Sequence, residues 1–348
     1  MPHEILVTGA SGFLGHHVVD ALLAAGYRVR ALNRSTDRRL EGHGVELVRG
    51  SILDGATVES AVKGCAAVIH VAGKVSRDRR DAAELRELHV VGTRRVLEAA
   101  QRAGVTRVVY VSSSGTIACS RDAQHIATED DPYPLEVTRT WPYYATKIEA
   151  EREALTLSRQ LGLELVCLNP SLLLGPGDAR LSSTDDVLKL LRRQLPALPS
   201  GGTNFVDVRD VAATTAAALE RGRAGERYLL GALNCSLRQF FTRVAELGHV
   251  TAPRLPLPDT PTRWMAYALQ PLFRMLKKDN PLDPVSIEMS QVYWYFDSAK
   301  ARRELGFVPR HPDDTLRDTI ADLRARYLAP PHQPAHGPDV GASSRAHT

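Results

Sequence analysis

Short apolar runs alternate along this chain with longer stretches in which apolar residues recur every third or fourth position. Ile5-Leu6-Val7 is the first run; Thr8 and Gly9 end it, and it reads as a buried strand. Phe13, Leu14, Val18, Val19, Leu22 and Leu23 then share one helical face until Gly26 stops the helix. The same alternation predicts strands over 27–32, 45–48, 67–71, 107–111 and 163–168. It predicts helices over 56–63, 82–103 and 142–161, the last opened by Pro142. Strands alternating with helices form a parallel sheet covered on both faces, and ligands bind such sheets beyond the carboxyl ends of the strands. The second half is less regular. There 184–195 and 236–247 read as helices, 208–221 and 227–230 as returning to the main fold, and 253–261 as a proline-rich connector.

Between the first strand and the first helix stand Gly9, Gly12 and Gly15. Glycine at the turn lets the backbone approach a pyrophosphate, and glycine further in lets the helix sit close to the sheet. The N–H groups and dipole at the helix start favour an anion. A plain strand-to-helix turn would not need this placement, so the stretch predicts a dinucleotide site. The expected fold class is α/β, a Rossmann-type doubly wound parallel sheet with a smaller C-terminal substrate lobe. Residues 1–170 form the NAD(P)-binding domain, 171–329 mainly the lobe, with 203–231 returning to the main domain, and 330–348 a disordered tail rich in Pro, Gly, Ser and His.

Three features then point to chemistry. The tip of the second strand is Asn33-Arg34-Ser35. A carboxylate there would take the adenosine ribose hydroxyls, whereas Arg34 can bind a 2′-phosphate, which predicts NADP with NAD as the alternative. Next, Tyr143 and Lys147 lie four apart, on one face of the 142–161 helix. A free tyrosine titrates near pH 10, about three units too high for proton exchange at neutrality; a neighbouring ammonium lowers that value. Of the ten tyrosines, Tyr143 alone has lysine four residues later. Last, the fifth strand ends in Ser112-Ser113-Ser114, and a hydroxyl there would face the same cleft. Side chains alternate along a strand, so Ser113 and Ser114 both remain contenders.

Composition adds exclusions. The formal net charge of +4 is spread over 44 basic and 40 acidic residues and makes no case for nucleic acid or an acidic membrane surface. Four scattered cysteines without a C-x-x-C pair argue against disulfide or metal frameworks, so a reducing cytoplasm and no metal are expected. No signal peptide is expected ahead of the first strand. The apolar stretch 264–276, followed by Lys277 and Lys278, is too short to span a bilayer. It is expected to be a lid or packing helix, with an interfacial membrane helix as the minor alternative.

These motifs together resemble the extended short-chain dehydrogenase/reductases, and within them the dihydroflavonol reductase and 3β-hydroxysteroid dehydrogenase branch. The carrying segments are TGASGFLG (8–15), VIHVAG (68–73), VVGTRRVLEAA (90–100), RVVYVSSSGT (107–116), YYATK (143–147), LNPSLLLGPGD (168–178), FVDVRDVA (205–212), GERYLLG (225–231) and FDSAKARRELGF (296–307). The resemblance implies a catalytic set of Ser113, Tyr143 and Lys147. It places Gly9, Gly12, Phe13, Leu14, Gly15, Arg34, Ala72, Gly73, Tyr143, Lys147 and Pro170 around the cofactor. Three positions depart from the family pattern: His89 stands for the usual asparagine, Ser51 for an aspartate near adenine, and Asn169-Pro170-Ser171 for the arginine-aromatic-asparagine pattern of nucleotide-sugar epimerases. The implied activity is NADP-dependent interconversion of a ketone or aldehyde and an alcohol on an apolar small molecule. The alternatives are a nucleotide-sugar epimerase or dehydratase that retains its cofactor, and a non-catalytic NADP-binding regulator. Monomer and homodimer are both open.

Overall fold

Ten strands organise the chain: β1 (Glu4–Thr8), β2 (Arg28–Asn33), β3 (Glu46–Arg49), β4 (Ala67–His70), β5 (Arg107–Val111), β6 (Glu164–Pro170), β7 (Leu172–Leu174), β8 (Gly202–Asp207), β9 (Arg227–Leu230) and β10 (Leu233–Ser236). The computed structural model describes residues 3–328 except 43, 196, 254 and 276–282. Seven strands form one parallel sheet in the order β3-β2-β1-β4-β5-β6-β9. The side-chain period of two splits each apolar run between the faces. Ile5 and Val7 join Val29, Val109 and Val166 under helices Phe13–Ala24 and Val208–Arg221. Leu6 joins Leu32, Val68, Val108 and Leu165 on the opposite face, beneath Gly55–Val62, Gly92–Arg102 and Pro142–Leu161. Burial on both faces is why these strands read as continuous apolar runs rather than alternating ones.

The chain leaves β1 for β2 and β3 on one side, then returns to place β4 on the other. A crevice opens at this reversal, beyond the carboxyl ends of β1 and β4. Gly9 occupies it with a positive φ of 73°, and a Cβ on Gly9 would lie 2.7 Å from the backbone of Ala72. Gly15 is tighter still: its Cβ would lie 2.1 Å from the Gly9 carbonyl oxygen.

The second half builds a three-stranded sheet, β10-β8-β7, with its own core of Leu174, Phe205, Phe240 and Leu316. Helices Asp185–Leu191, Leu237–Leu247 and Pro312–Tyr327 cover it. Val208–Arg221 packs on the main sheet and β9 pairs with β6, whereas β8 pairs within the small sheet. The predicted 82–103 helix is interrupted by a π turn at Glu87–Val91. The helix expected over 264–276 starts earlier, spanning Asp259–Met275. It lies against Pro284–Met289, with the Tyr267 hydroxyl donating to Glu288 at 2.6 Å, and leaves Trp264 72% exposed. Lys277, Lys278 and the 330–348 tail lie outside the described residues. Among the described residues no helix is long and apolar enough to cross a membrane.

Because the Gly15 contact is with backbone that cannot swing aside, Gly15→Ala is expected to lower stability by about 1–3 kcal/mol, the usual range for overpacking. Thermal unfolding of the two proteins measures it; an unchanged melting temperature would mean the turn can relax.

Candidate active site

The glycine turn forms one wall. Gly12 N donates to Gly9 O at 2.9 Å, and Ser11 N donates to Asn33 Oδ1 at 3.2 Å, tying the turn to the tip of β2. That bond orients the Asn33 amide, whose buried Nδ2 has no acceptor among the described residues. Arg34 is exposed beside it. Three residues on, Asp37 is an acid near the strand tip that sequence reading passed over. It accepts from His16 Nε2 at 2.7 Å and from Arg39 N at 3.0 Å. His17 Nε2 donates to Pro176 O at 2.9 Å, so the 175–177 loop is held against the first helix, where Phe13 and Leu14 begin. Ala72 and Gly73 follow β4, and Pro170 ends β6. These features fit a dinucleotide: side-chain-free backbone at Gly9 and Gly15, exposed N–H groups at a helix start, and a donor lacking a partner at the ribose end.

The helix Pro142–Leu161 carries the reactive pair. Pro142 starts it, and buried Trp141 anchors its N-terminus by donating Nε1–H to Glu288 at 2.8 Å. Lys147 is 5% exposed; its Nζ donates to Val111 O at 3.1 Å and lies 5.5 Å from the Tyr110 ring centroid. A Cβ on Gly73 would lie 3.8 Å from that Nζ, so Gly73 and Lys147 share one spot. Burial pulls the Lys147 ammonium down to about 8, with Cys167 and Glu151 acting in the opposite direction. Burial pushes the Tyr143 phenol up to about 12, and a hydrogen bond with Ser113 draws it down. Lys147 thus points to the end of β5.

The serine triplet is sorted by its surroundings. The Ser112 hydroxyl donates to Glu151 Oε2 at 2.5 Å, beneath the site. Ser113, the next residue, accepts from Gly115 N at 3.3 Å. Ser114 enters a short 3-10 turn, Ser114–Thr116, and is buried. Ser113, Tyr143 and Lys147 thus meet at the ends of β4 and β5, while Arg34 lies along the cleft at the end of β2.

Sequence reading gave no role to a buried relay next to these groups. Ala72 N lies 3.4 Å from Thr8 Oγ1, which lies 2.7 Å from His70 Nδ1; His70 Nε2 lies 3.0 Å from Thr93 Oγ1. Thr93 donates to the His89 carbonyl at 2.5 Å, so it accepts from His70 Nε2–H, and Thr8 donates to His70 Nδ1. On the His89 ring, Nε2 accepts from Lys74 N at 3.2 Å and Nδ1 lies 2.9 Å from Thr146 Oγ1. Burial and the nearby Lys147 charge pull both imidazoles down to about 3, so both are neutral. The π turn aims His89 inward, and its ring meets that of Tyr143 edge-on at 5.7 Å. The one signal in sequence was the departure at His89.

A model of the NAD dependent epimerase/dehydratase family matches residues 5–231. A Synechocystis protein provisionally named dihydroflavonol 4-reductase is 35% identical over 324 residues, covering 91% of this chain and 92% of its own. The crystal structure of a nucleoside-diphosphate-sugar epimerase from Pseudomonas aeruginosa is 28% identical with a TM-score of 0.75, covering 93% and 98% of the two chains. That of a dTDP-glucose 4,6-dehydratase from Streptomyces venezuelae, with NAD bound, is 25% identical with a TM-score of 0.74, covering 93% and 97%.

The different partners of neighbouring serines yield a test. Ser112→Ala removes a hydrogen bond to a buried carboxylate, worth about 1.5–3 kcal/mol, and should lower the melting temperature. Ser113→Ala loses only a long bond to Gly115 and the one to Tyr143, and should melt near the original temperature. The opposite order in calorimetry would reverse the assignment of the two side chains.

Proposed function

The chain belongs to the NAD-dependent epimerase/dehydratase family, and on that premise we propose that Ser113, Tyr143 and Lys147 interconvert a hydroxyl and a carbonyl group on a small organic substrate. The observation that carries the proposal is buried Lys147 beside Gly73, one helical turn along from Tyr143 and bonded to the end of the strand that leads into Ser113. Gly9, Gly12, Phe13, Leu14, Gly15, Ala72, Gly73 and Pro170 would hold a nicotinamide cofactor, which would supply or accept the hydride. In reduction, Ser113 holds the carbonyl oxygen and Tyr143 gives it a proton; in oxidation, Tyr143 takes the hydroxyl proton. Lys147 holds the nicotinamide ribose and, with its ammonium nearby, makes the phenolate accessible from a starting value of about 12.

Two net reactions share this step. In one, an apolar ketone leaves as an alcohol. Its support is the likeness to the Synechocystis protein and the aromatic wall of Tyr143, Tyr144 and Trp294, with ring centroids 4.9 and 4.8 Å apart. In the other, a sugar nucleotide is oxidised and then reduced on the same site, so no cofactor is consumed. Its support is the likeness to the Pseudomonas epimerase and the Streptomyces dehydratase. The solved structures weigh toward this second reading; the Asn169-Pro170-Ser171 departure weighs toward the first. Incubation with graded ketones and with sugar nucleotides separates them: net oxidation of reduced cofactor marks the first, and a changed sugar without net oxidation marks the second.

For the cofactor, the proposal is NADP, supported by exposed Arg34 and by the engagement of Asp37 with His16. The Streptomyces relative holds NAD, so the choice rests on this chain's own residues. Arg34→Ala should weaken NADPH binding roughly tenfold or more, the value of one charge-assisted contact, and leave NADH nearly unchanged. Fluorescence titration decides it; equal losses would remove Arg34 from the 2′-phosphate.

Tyr143→Phe keeps the ring and deletes the hydroxyl. It should bind cofactor normally and lose turnover by about 10²–10⁴, the usual contribution of a positioned acid or base. A variant working near the original rate in steady-state kinetics would sink the mechanism.

A further inference from the structure

Two helical turns after Tyr143, and one after Lys147, the same helix face carries Glu151, which is fully buried. Nothing in the reaction above uses it. A buried carboxyl group is retained only where donors surround it. Glu151 Oε2 takes Ser112 Oγ at 2.5 Å, Asn169 Nδ2 at 2.7 Å and Thr116 Oγ1 at 2.8 Å. The other oxygen, Oε1, faces Arg227 of β9 at 3.5 Å. Ser112 and Asn169 donate to one oxygen while the other faces a guanidinium, the surroundings of a carboxylate, which accepts and does not donate.

The donors come from the elements that set the serine. Ser112 immediately precedes Ser113. Asn169 Nδ2 also donates to the Ser113 carbonyl at 3.1 Å, and Thr116 Oγ1 lies 2.8 Å from that same carbonyl. Glu151 therefore gathers the end of β5, its following turn, the end of β6 and the start of β9 under the catalytic helix.

Its charge also bears on Lys147. The groups facing the Lys147 ammonium are Glu151 on its own helix, Tyr110 on β5, Cys167 on β6, His70 on β4 and His89 on the π turn. Both histidines are neutral, and burial pushes Cys167 and Tyr110 well up, leaving them neutral too. Glu151 is the anion in this group, with Arg227 behind it.

We propose that Glu151 is a positioning residue of the hydride-transfer site: from below, its carboxylate clamps the turn that carries Ser113 and sustains Lys147 in its charged form. The inference rests on the proposed role of Lys147 at the nicotinamide ribose, and the experiment separates the two. NADPH affinity is measured by fluorescence titration from pH 6 to 10 on the whole protein. The original protein should lose affinity as pH rises through about 8. Sign follows from the charges: a carboxylate favours the ammonium, so Glu151→Gln should move that loss lower, by about one pH unit. Glu151→Asp keeps the charge on a shorter stem, so its midpoint should stay while turnover falls. A role in packing alone would weaken binding equally at every pH and leave the midpoint in place.

A Glu151→Gln midpoint equal to the original one overturns the inference and leaves the role of Lys147 standing. Affinity flat across the range in the original protein overturns both. If Glu151→Gln does not fold, as judged by circular dichroism, the double variant Glu151→Gln/Arg227→Gln removes the cation left unpaired, and its midpoint is read against that of Arg227→Gln alone, below which it should lie. Independently, a Glu151→Asp midpoint shifted as far as that of a neutral variant would defeat the charge argument.

Discussion

At the reversal of strand order the backbone of Gly9 meets that of Ala72 with no space for a side chain between them. Everything functional in the chain depends on that contact. It lets β1 and β4 lie side by side with the first helix pressed against their ends, and Gly15 repeats the requirement one turn later. The helix start then points its free N–H groups into the crevice, where its dipole attracts an anion. Strands β2 and β5, on either side, bring Arg34 to one end of the cleft and Ser113 to the other.

At the other end of the cleft, burial is the force to be balanced. It raises Tyr143 and lowers Lys147, which by itself would disarm both groups. Three arrangements oppose it. The Ser113 hydrogen bond favours the phenolate, the Val111 carbonyl accepts from the ammonium, and Glu151 places a negative charge beneath. The histidines serve by being neutral. Held in fixed tautomers by Thr8, Thr93, Lys74 N and Thr146, they stiffen the Ala72–Lys74 backbone and the catalytic helix without adding positive charge beside Lys147. Networks of this kind are rigid because every member is satisfied.

The lobe shows a looser dependence. Its small sheet has its own core, and the 175–177 loop is held by His17 from one side and by Thr319 and Asp322 from the other.

The sequence alone determined the main sheet, the glycine turn, the Tyr143–Lys147 spacing and the serine tip. Each is a local pattern: period two or 3.6, a turn residue, or two side chains four apart on one helix. Strand boundaries came out within a residue or two for the same reason. Tertiary structure decided the rest. Ser112, Ser113 and Ser114 look alike in one dimension, and only the position of Glu151 below and Tyr143 above separates them. The direction of the Tyr143 titration depends on burial, which spacing does not reveal. The π turn at His89, the placement of β8 in the second sheet and the Glu151 clamp each depend on partners 15 to 76 residues away. Such meetings are set by how the layers close on one another, and no periodicity along the chain records them.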